Sequence, residues 1–214
     1  MRGHPGSYDT AKRRLYRLIG DEETLYCGCP TNLAQRTFDR AACGYIPRNE
    51  SDRAQRLEAE HIVPAFWIAR FNPDSTCWVR QPDCGSAREC CLANDEDFAT
   101  AHNDLVNLYP AIGELNGDRS NYLHDLLAGE ERAYGVCDFE TDSAASLSEP
   151  REEVRGDIAR VHFYMRDTYG LVYPDEMTEL LESWDSLDPV SEMEIQRNER
   201  IQQAQGSSNP LFNQ

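Results

Sequence analysis

The stretch Leu57-Glu58-Ala59-Glu60-His61-Ile62-Val63-Pro64 is an acid-x-acid-histidine run that closes in apolar residues and a proline. A second segment, Asn107-Leu108-Tyr109-Pro110-Ala111-Ile112-Gly113-Glu114-Leu115-Asn116-Gly117-Asp118-Arg119-Ser120-Asn121, gathers the same kinds of residue. It reads as a short strand, a turn at Asn116-Gly117 and a helix start capped by polar residues. Histidine, carboxylate and amide groups concentrated in these two segments set the expectation for the chemistry.

These residue types form the kit for cleaving a phosphodiester. A water must lose a proton to a base near neutral pH, and histidine has the matching ordinary pKa. A hard divalent cation must hold phosphate oxygens; carboxylate and amide oxygens suit Mg²⁺, which keeps several waters. An arginine can fork onto the phosphate and neutralise charge in the transition state. His61, Glu60, Asn116 and a nearby arginine supply those parts. Taken singly, Glu-His is most often a solvated strand end, and Asn-Gly a hairpin turn. On an ideal strand Glu58 and Glu60 share one face while His61 points to the other. Either the strand ends or bulges here, which Pro64 favours, or metal and base approach the phosphate from different sides.

Upstream, Tyr8, Ala11, Leu15, Leu18 and Ile19 fall on one helical face behind a cap at Asp9. From Thr24 to Val63 the chain is irregular, punctuated by Gly28, Pro30, Gly44 and Pro47, with short strands at most. Residues 64 to 91 mix apolar anchors (Phe66, Trp67, Ile68, Trp78) with Pro73, Pro82 and Gly85, and a short helix is expected from near Asn94. Between Arg151 and Tyr169 the apolar positions Val154, Ile158, Val161 and Met165 recur at helical spacing, with Gly170 as the stop. Pro174 opens a further helix with Met177, Leu180, Leu181 and Trp184 on one face, and Pro189 opens another that runs to Gly206. These stripes read as core. The Ser- and Ala-rich stretch from Thr141 to Glu149 reads as a surface loop. The expected fold class is α+β and predominantly helical, one domain over residues 1 to 214. Its few strands lie in the first two-thirds, with a helical part over about residues 150 to 206.

The chain has 214 residues, 38 Asp and Glu against 21 Lys and Arg, and a formal net charge of −17; its mean hydropathy is −0.68. An apolar fraction of 40% is enough for a real core, and no run of about 18 apolar residues is present to cross a membrane. The net charge has the wrong sign for a generic basic nucleic-acid binder. It is unevenly spread, however: residues 1 to 57 come to +3 and residues 58 to 214 to −20. An electropositive region that meets a polyanion is therefore compatible with the N-terminal part, against the bulk field. Lys12 is the only lysine, and the other twenty basic residues are arginines. Such a surface suits high salt, where carboxylates hold water and counterions; arginine codon bias in a GC-rich genome is the competing explanation.

Cysteines at 27, 29, 43, 77, 84, 90, 91 and 137 make an even count, which reads as a disulfide framework in an oxidising compartment. Structural zinc competes, but the usual Cys-x2-Cys knuckle is absent. Met1-Arg2-Gly3-His4-Pro5 is not a charged-then-apolar leader, so a secretory signal, if there was one, is expected to have been removed.

Together the segments resemble the bacterial endonuclease I family of periplasmic and secreted non-specific nucleases. The motifs run in one order along nearly the whole chain: Tyr26-Cys27-Gly28-Cys29, Ala42-Cys43-Gly44-Tyr45, Glu58 to Ala65, Asn107-Leu108, Pro110 to Glu114, Asn116 to Asn121, Tyr134-Gly135, Tyr164-Met165, Tyr169-Gly170-Leu171 and Arg197 to Ile201. The resemblance implies a ββα-metal (His-Me finger) site over about residues 58 to 124, with strands at about 58 to 64 and 107 to 114 and a helix at about 116 to 124. It implies His61 as general base, Glu60 and Asn116 as the two protein ligands of Mg²⁺, and Arg88 as the arginine that stabilises the transition state. Mn²⁺ and Ca²⁺ are the alternative ions. Glu58 is implied to order the water network around the metal. In-line attack would leave a 5'-phosphate and a 3'-hydroxyl on DNA, with RNA as a second substrate. A monomer outside the cytoplasm, with no membrane contact, completes the expectation.

Departures from the family pattern limit what carries over. Ala59 stands where an aromatic residue is usual, and His102 where the pattern has an acid; Ile195 replaces a cysteine, and the chain ends at Gln214 without the terminal one. Cys84 and Cys90 look like additions. On that comparison Cys84 pairs with Cys90 and Cys77 with Cys91, while Cys27, Cys29, Cys43 and Cys137 share the other two bonds. The competing functional readings are a catalytically silent secreted disulfide-scaffold binding protein and a zinc-structured interaction module.

Overall fold

Ser7 sets the start of the first helix. Its hydroxyl accepts from the Thr10 amide, and α1 runs over Tyr8–Leu18 with Ala11, Leu15 and Tyr16 buried. The cap is therefore Ser7 and not Asp9, which pairs with Lys12 instead, and Leu18 turns 53% of its surface to solvent rather than joining the core face. The computed structural model describes residues 3–129 and 131–213. Met1, Arg2 and Gln214, where the sequence reading looks for a leader and a terminal cysteine, lie outside the described residues.

After α1 the chain is irregular, as its turn residues predict. It makes two-residue strands β1 (Thr31–Asn32) and β2 (Thr37–Phe38) and the single-turn helix α2 (Arg40–Cys43), which Asp39 caps and a left-handed Gly44 closes. Cys29–Cys43 and Cys27–Cys137 tie this region to itself and to the middle of the chain.

β3 (Leu57–His61) leads into Pro64, whose fixed φ starts α3 (Ala65–Phe71). Two more helices follow, α4 (Ala87–Asn94) capped by Ser86 and α5 (Glu96–His102) capped by Asp95. α3 and α4 fall in residues where the sequence reading placed no helix, and the short helix expected from near Asn94 is α5. Cys77–Cys91 and Cys84–Cys90 tie α4 to the Pro/Gly-rich strand-free segment before it, so helix and loop share one anchored unit. Cys77–Cys91 and Cys84–Cys90 match the pairs that the family resemblance implies, and the structure decides the pairing it left open among the other four cysteines.

β4 (Leu108–Ile112) pairs antiparallel with β3, one residue against one from Leu57↔Ile112 to His61↔Leu108. Beyond the ladder, the Asn107 side chain accepts from the Val63 amide at 2.8 Å and donates to the Val63 carbonyl at 3.0 Å, pinning the end of the pair. β4 runs directly into α6 (Gly113–Arg119). Asn116 and Gly117 thus lie inside a helix, not in a turn, and the helix occupies 113–119 rather than 116 to 124. A Cβ on Gly117 would sit 2.4 Å from Arg53 Nη1, the far end of a side chain that would have to move aside.

β5 (Leu123–His124), β6 (Phe139–Asp142) and β7 (Leu147–Pro150) form a second sheet in the order β5-β7-β6. The expected surface loop from Thr141 to Glu149 is therefore an antiparallel hairpin, with Ser148 and Glu149 buried, and it carries the strands slightly past the first two-thirds of the chain. The helical part follows the apolar periodicity: α7 (Arg155–Tyr169) ends at left-handed Gly170, and α8 (Asp175–Leu187) begins behind Pro174. α9 (Glu192–Gln205) starts later than Pro189, at a Ser191–Glu194 capping box that satisfies two helix-end amides reciprocally. Of the expected α8 stripe, Leu181 and Trp184 are fully buried, while Met177 and Leu180 pack at the edge of the core. No helix among the described residues is long and apolar enough to cross a membrane.

The C-terminal helices hold β4 from behind. Buried Asp104 accepts from the hydroxyls of Tyr164 and Tyr169 on α7's end at 2.8 and 2.5 Å, and from Gln205 of α9 at 2.7 Å. Arg197 of α9 donates to the carbonyls of Leu105 and Leu108 and pairs with Glu22. Buried Arg160 pairs with buried Glu194 and with the more exposed Asp185, joining α7, α8 and α9. All eight cysteines are paired, so denatured, unreduced protein is expected to show no reactive thiol; free thiols released by chelation would instead mark a zinc-structured chain.

Candidate active site

The end of β3, the start of α1, and helices α4 and α6 enclose an open cleft of about 480 Å³. Glu58, Glu60, His61, Arg88 and Asn116, the five residues singled out in the sequence, all line it. The ladder between β3 and β4 is one-to-one throughout, so no bulge is involved. The strand simply ends at His61, and residues of both faces reach one cleft there.

His61 is buried, and its Nε2 lies 2.8 Å from the carbonyl oxygen of His102. A carbonyl only accepts, so Nε2 carries the proton and Nδ1 holds the lone pair. Burial foremost, with the neighbouring His102 and Arg88, pushes the His61 pKa well down. The ring is therefore neutral at neutral pH and able to take a proton at Nδ1.

Glu60 is buried as well. The Tyr26 hydroxyl donates to its Oε1 at 2.6 Å, and Arg119 Nη1 donates to the same oxygen at 2.9 Å. Burial pushes the Glu60 pKa up, while Arg119 and then the Tyr26 bond pull it down. Tyr26, its own pKa raised well above the ordinary value by burial, keeps its proton to donate. Among the described residues no side-chain hydrogen bond goes to Glu60 Oε2, and Glu60 lines the cleft. Arg119, only 1% exposed, also donates to the carbonyls of His61 and Ile62.

Glu58 holds three groups. Arg53 donates to it through Nε and Nη2 at 2.9 and 2.7 Å, and Arg56 through Nε and Nη2 at 2.9 and 2.6 Å. Asn116 Nδ2 donates to its Oε2 at 2.9 Å. Burial alone would push the Glu58 pKa up, but the hydrogen bonds and charges of Arg53 and Arg56 outweigh it and hold the carboxyl below its ordinary value. With Nδ2 committed to Glu58, the amide of Asn116, which lines the cleft, keeps Oδ1 as an acceptor. Two hard oxygens, Glu60 Oε2 and Asn116 Oδ1, are thus available to a divalent cation. Among the described residues no group of three or more His, Cys, Asp or Glu side chains is gathered for a metal. Such an ion would keep most of its waters, the habit of Mg²⁺ rather than of structural zinc.

Arg88, on α4, reaches across to His102, and its guanidinium lies 5.2 Å from the centre of the Tyr8 ring. Tyr8 donates to the Ala59 carbonyl at 3.1 Å, so the aromatic ring beside this strand comes from α1 where Ala59 offers none. Lys12, Arg36, Arg53 and Arg56 line the cleft too, which makes it the cationic part of an acidic protein. Sequence reasoning missed Arg119, Tyr26, Arg53 and Arg56. The signal for the first two was the requirement that a buried carboxylate have a partner.

The Endonuclease I family profile matches residues 7–214. The chain is 37% identical to a periplasmic deoxyribonuclease of Aeromonas hydrophila over 96% of its own length and 85% of that protein. It is 37% identical to an extracellular deoxyribonuclease of the same organism, over 98% and 90%. It is 36% identical to an Endonuclease-1 of Buchnera aphidicola, over 87% and 72%. The chain belongs to the Endonuclease I family.

Replacing Arg119 by Met removes the partner of a desolvated carboxylate and is expected to lower unfolding stability by about 3–5 kcal/mol. Chemical denaturation checks this, and a loss below about 1 kcal/mol would show the pair to be no more than a surface-grade contact.

Proposed function

We propose that this Endonuclease I family member is a metal-dependent endonuclease that hydrolyses phosphodiester bonds of DNA, and of RNA, without sequence preference. The observation that carries the reading is the convergence of His61, Glu60, Asn116 and Arg88 on one cleft, with the His61 proton fixed on Nε2. β3, β4 and α6 make up the ββα-metal motif in this reading. Glu60 and Asn116 would hold one Mg²⁺, with Mn²⁺ or Ca²⁺ as substitutes; bound there, the ion would supply Lewis acidity to the phosphate and its leaving group.

The chain's own groups do the rest. His61 Nδ1 takes a proton from a water in line with the scissile bond. Arg88 offers a fixed cation to the charge that builds on the phosphate. Glu58 holds the Asn116 amide in its ligating orientation and gathers Arg53 and Arg56 at the rim. The product carries a 5'-phosphate and leaves a 3'-hydroxyl. Contacts made to phosphate by arginines carry no sequence information, which supports non-specificity. The periplasmic and extracellular names of relatives, together with four disulfides, support work outside the cytoplasm. No observation favours a silent scaffold.

The acidic shell supports a salt-adapted enzyme. Screening over a few Å hides a repulsive surface at high salt while short-range contacts persist. Plasmid cleavage with Mg²⁺ is expected to stop with chelator and to fall by about 10²–10⁴-fold in His61→Ala; full activity in that variant would remove His61 as the base. Across an NaCl series activity is expected to persist toward roughly molar salt, whereas loss by about 0.2 M would make the acidity unrelated to salt.

A further inference from the structure

We propose that the His102 ring is a positioning residue for Arg88: its Nε2 lone pair orients the guanidinium beside His61. The inference rests on the nuclease reading of the cleft.

His102 ends α5 and is fully buried. Arg88 Nε and Nη2 lie 2.9 and 2.6 Å from its Nε2. A guanidinium has no lone pair to offer, so Nε2 must be bare and the ring proton must sit on Nδ1. Asn103 Oδ1, 2.9 Å from Nδ1, accepts it and so selects that tautomer. The carbonyl of the same residue accepts from His61. The two imidazoles lie 4.4 Å apart between ring centres.

The groups packed on His102 agree with a neutral ring. Arg88 faces it from α4, His61 from β3, Tyr8 edge-on from α1 at 5.0 Å, and Phe98 from its own helix at 5.7 Å. Burial, then the Arg88 charge, push its pKa down to about 4 against the Asn103 bond. No carboxylate among the described residues lies within ion-pair distance of Arg88. A carboxylate in place of His102 would orient the guanidinium and cancel its charge; the imidazole orients it and leaves the charge for phosphate. His102 itself does not line the cleft, and its lone pair is occupied, so it touches no substrate.

The test is a double-mutant cycle on the full chain with Mg²⁺ and a defined DNA duplex. His102→Ala is expected to lower kcat by about 10–100-fold with KM within about twofold, and His102→Gln, whose amide oxygen can accept as Nε2 does, to recover most of the loss. In an Arg88→Ala background His102→Ala should change kcat by less than about twofold. An equal fold-loss in both backgrounds, or an unaltered kcat in His102→Ala, overturns the proposal. If Arg88→Ala and His61→Ala keep wild-type activity, it is the nuclease assignment of the cleft that fails. Ring ¹⁵N NMR of the unmutated protein decides independently of any variant's folding: a bare Nε2 and a protonated Nδ1 on His102 at neutral pH are expected, and the opposite tautomer or a charged ring refutes the arrangement.

Discussion

The cleft depends on one buried guanidinium. Arg119 sits at the end of α6 with almost no contact with water and gives its donors to Glu60, to the His61 carbonyl and to the Ile62 carbonyl. A desolvated ion pair adds little net stability, because removing two charges from water offsets most of their attraction. Its value lies in geometry. The carbonyls of residues 61 and 62 are satisfied by a side chain instead of by a continuing strand, so β3 can stop where it does. Its last residues then present Glu58, Glu60 and His61 to a common space, which a longer regular strand would divide between two faces.

Support for that geometry comes from every side by a different kind of bond. Behind β4, the C-terminal helices fix the segment before it through Asp104 and Arg197. In front, α4 carries Arg88 on a segment with no sheet of its own, and two disulfides hold it in place. Groups that act in chemistry are held by neighbours whose own positions are fixed by packing, which is how a site stays within fractions of an ångström of its working arrangement. The charge distribution follows the same division. Cations collect around the cleft, and the bulk of the −17 lies elsewhere on the surface.

The sequence was most legible where pattern and structure share a period. Helices α7 and α8 follow their apolar spacing, and Gly170 and Gly206 end helices in the left-handed conformation that glycine allows. It was least legible where a residue's reason is steric or long-range. Asn116-Gly117 looks like a turn because glycine usually serves conformation; here it lies within α6 against the Arg53 side chain. α3 and α4 lie among prolines and glycine, and two disulfides supply part of the order that periodicity would otherwise have to signal. The five residues chosen for chemistry do meet, but Arg119 and Tyr26, which make burial of Glu60 tolerable, come from segments far from it in the chain. Nothing local in a sequence records the cost of desolvating a charge.

The scarcity of lysine has a consequence for how the protein can be handled. Lys12 is the only lysine in the chain, and it stands on the cleft wall, paired with Asp9 and 4.6 Å from the centre of the Tyr8 ring. Arginines do not react with amine-directed reagents under mild conditions, since the guanidinium stays protonated. Such a reagent therefore has one side-chain address on the whole molecule, and that address is the mouth of the cleft. A dye attached there would report directly on what enters.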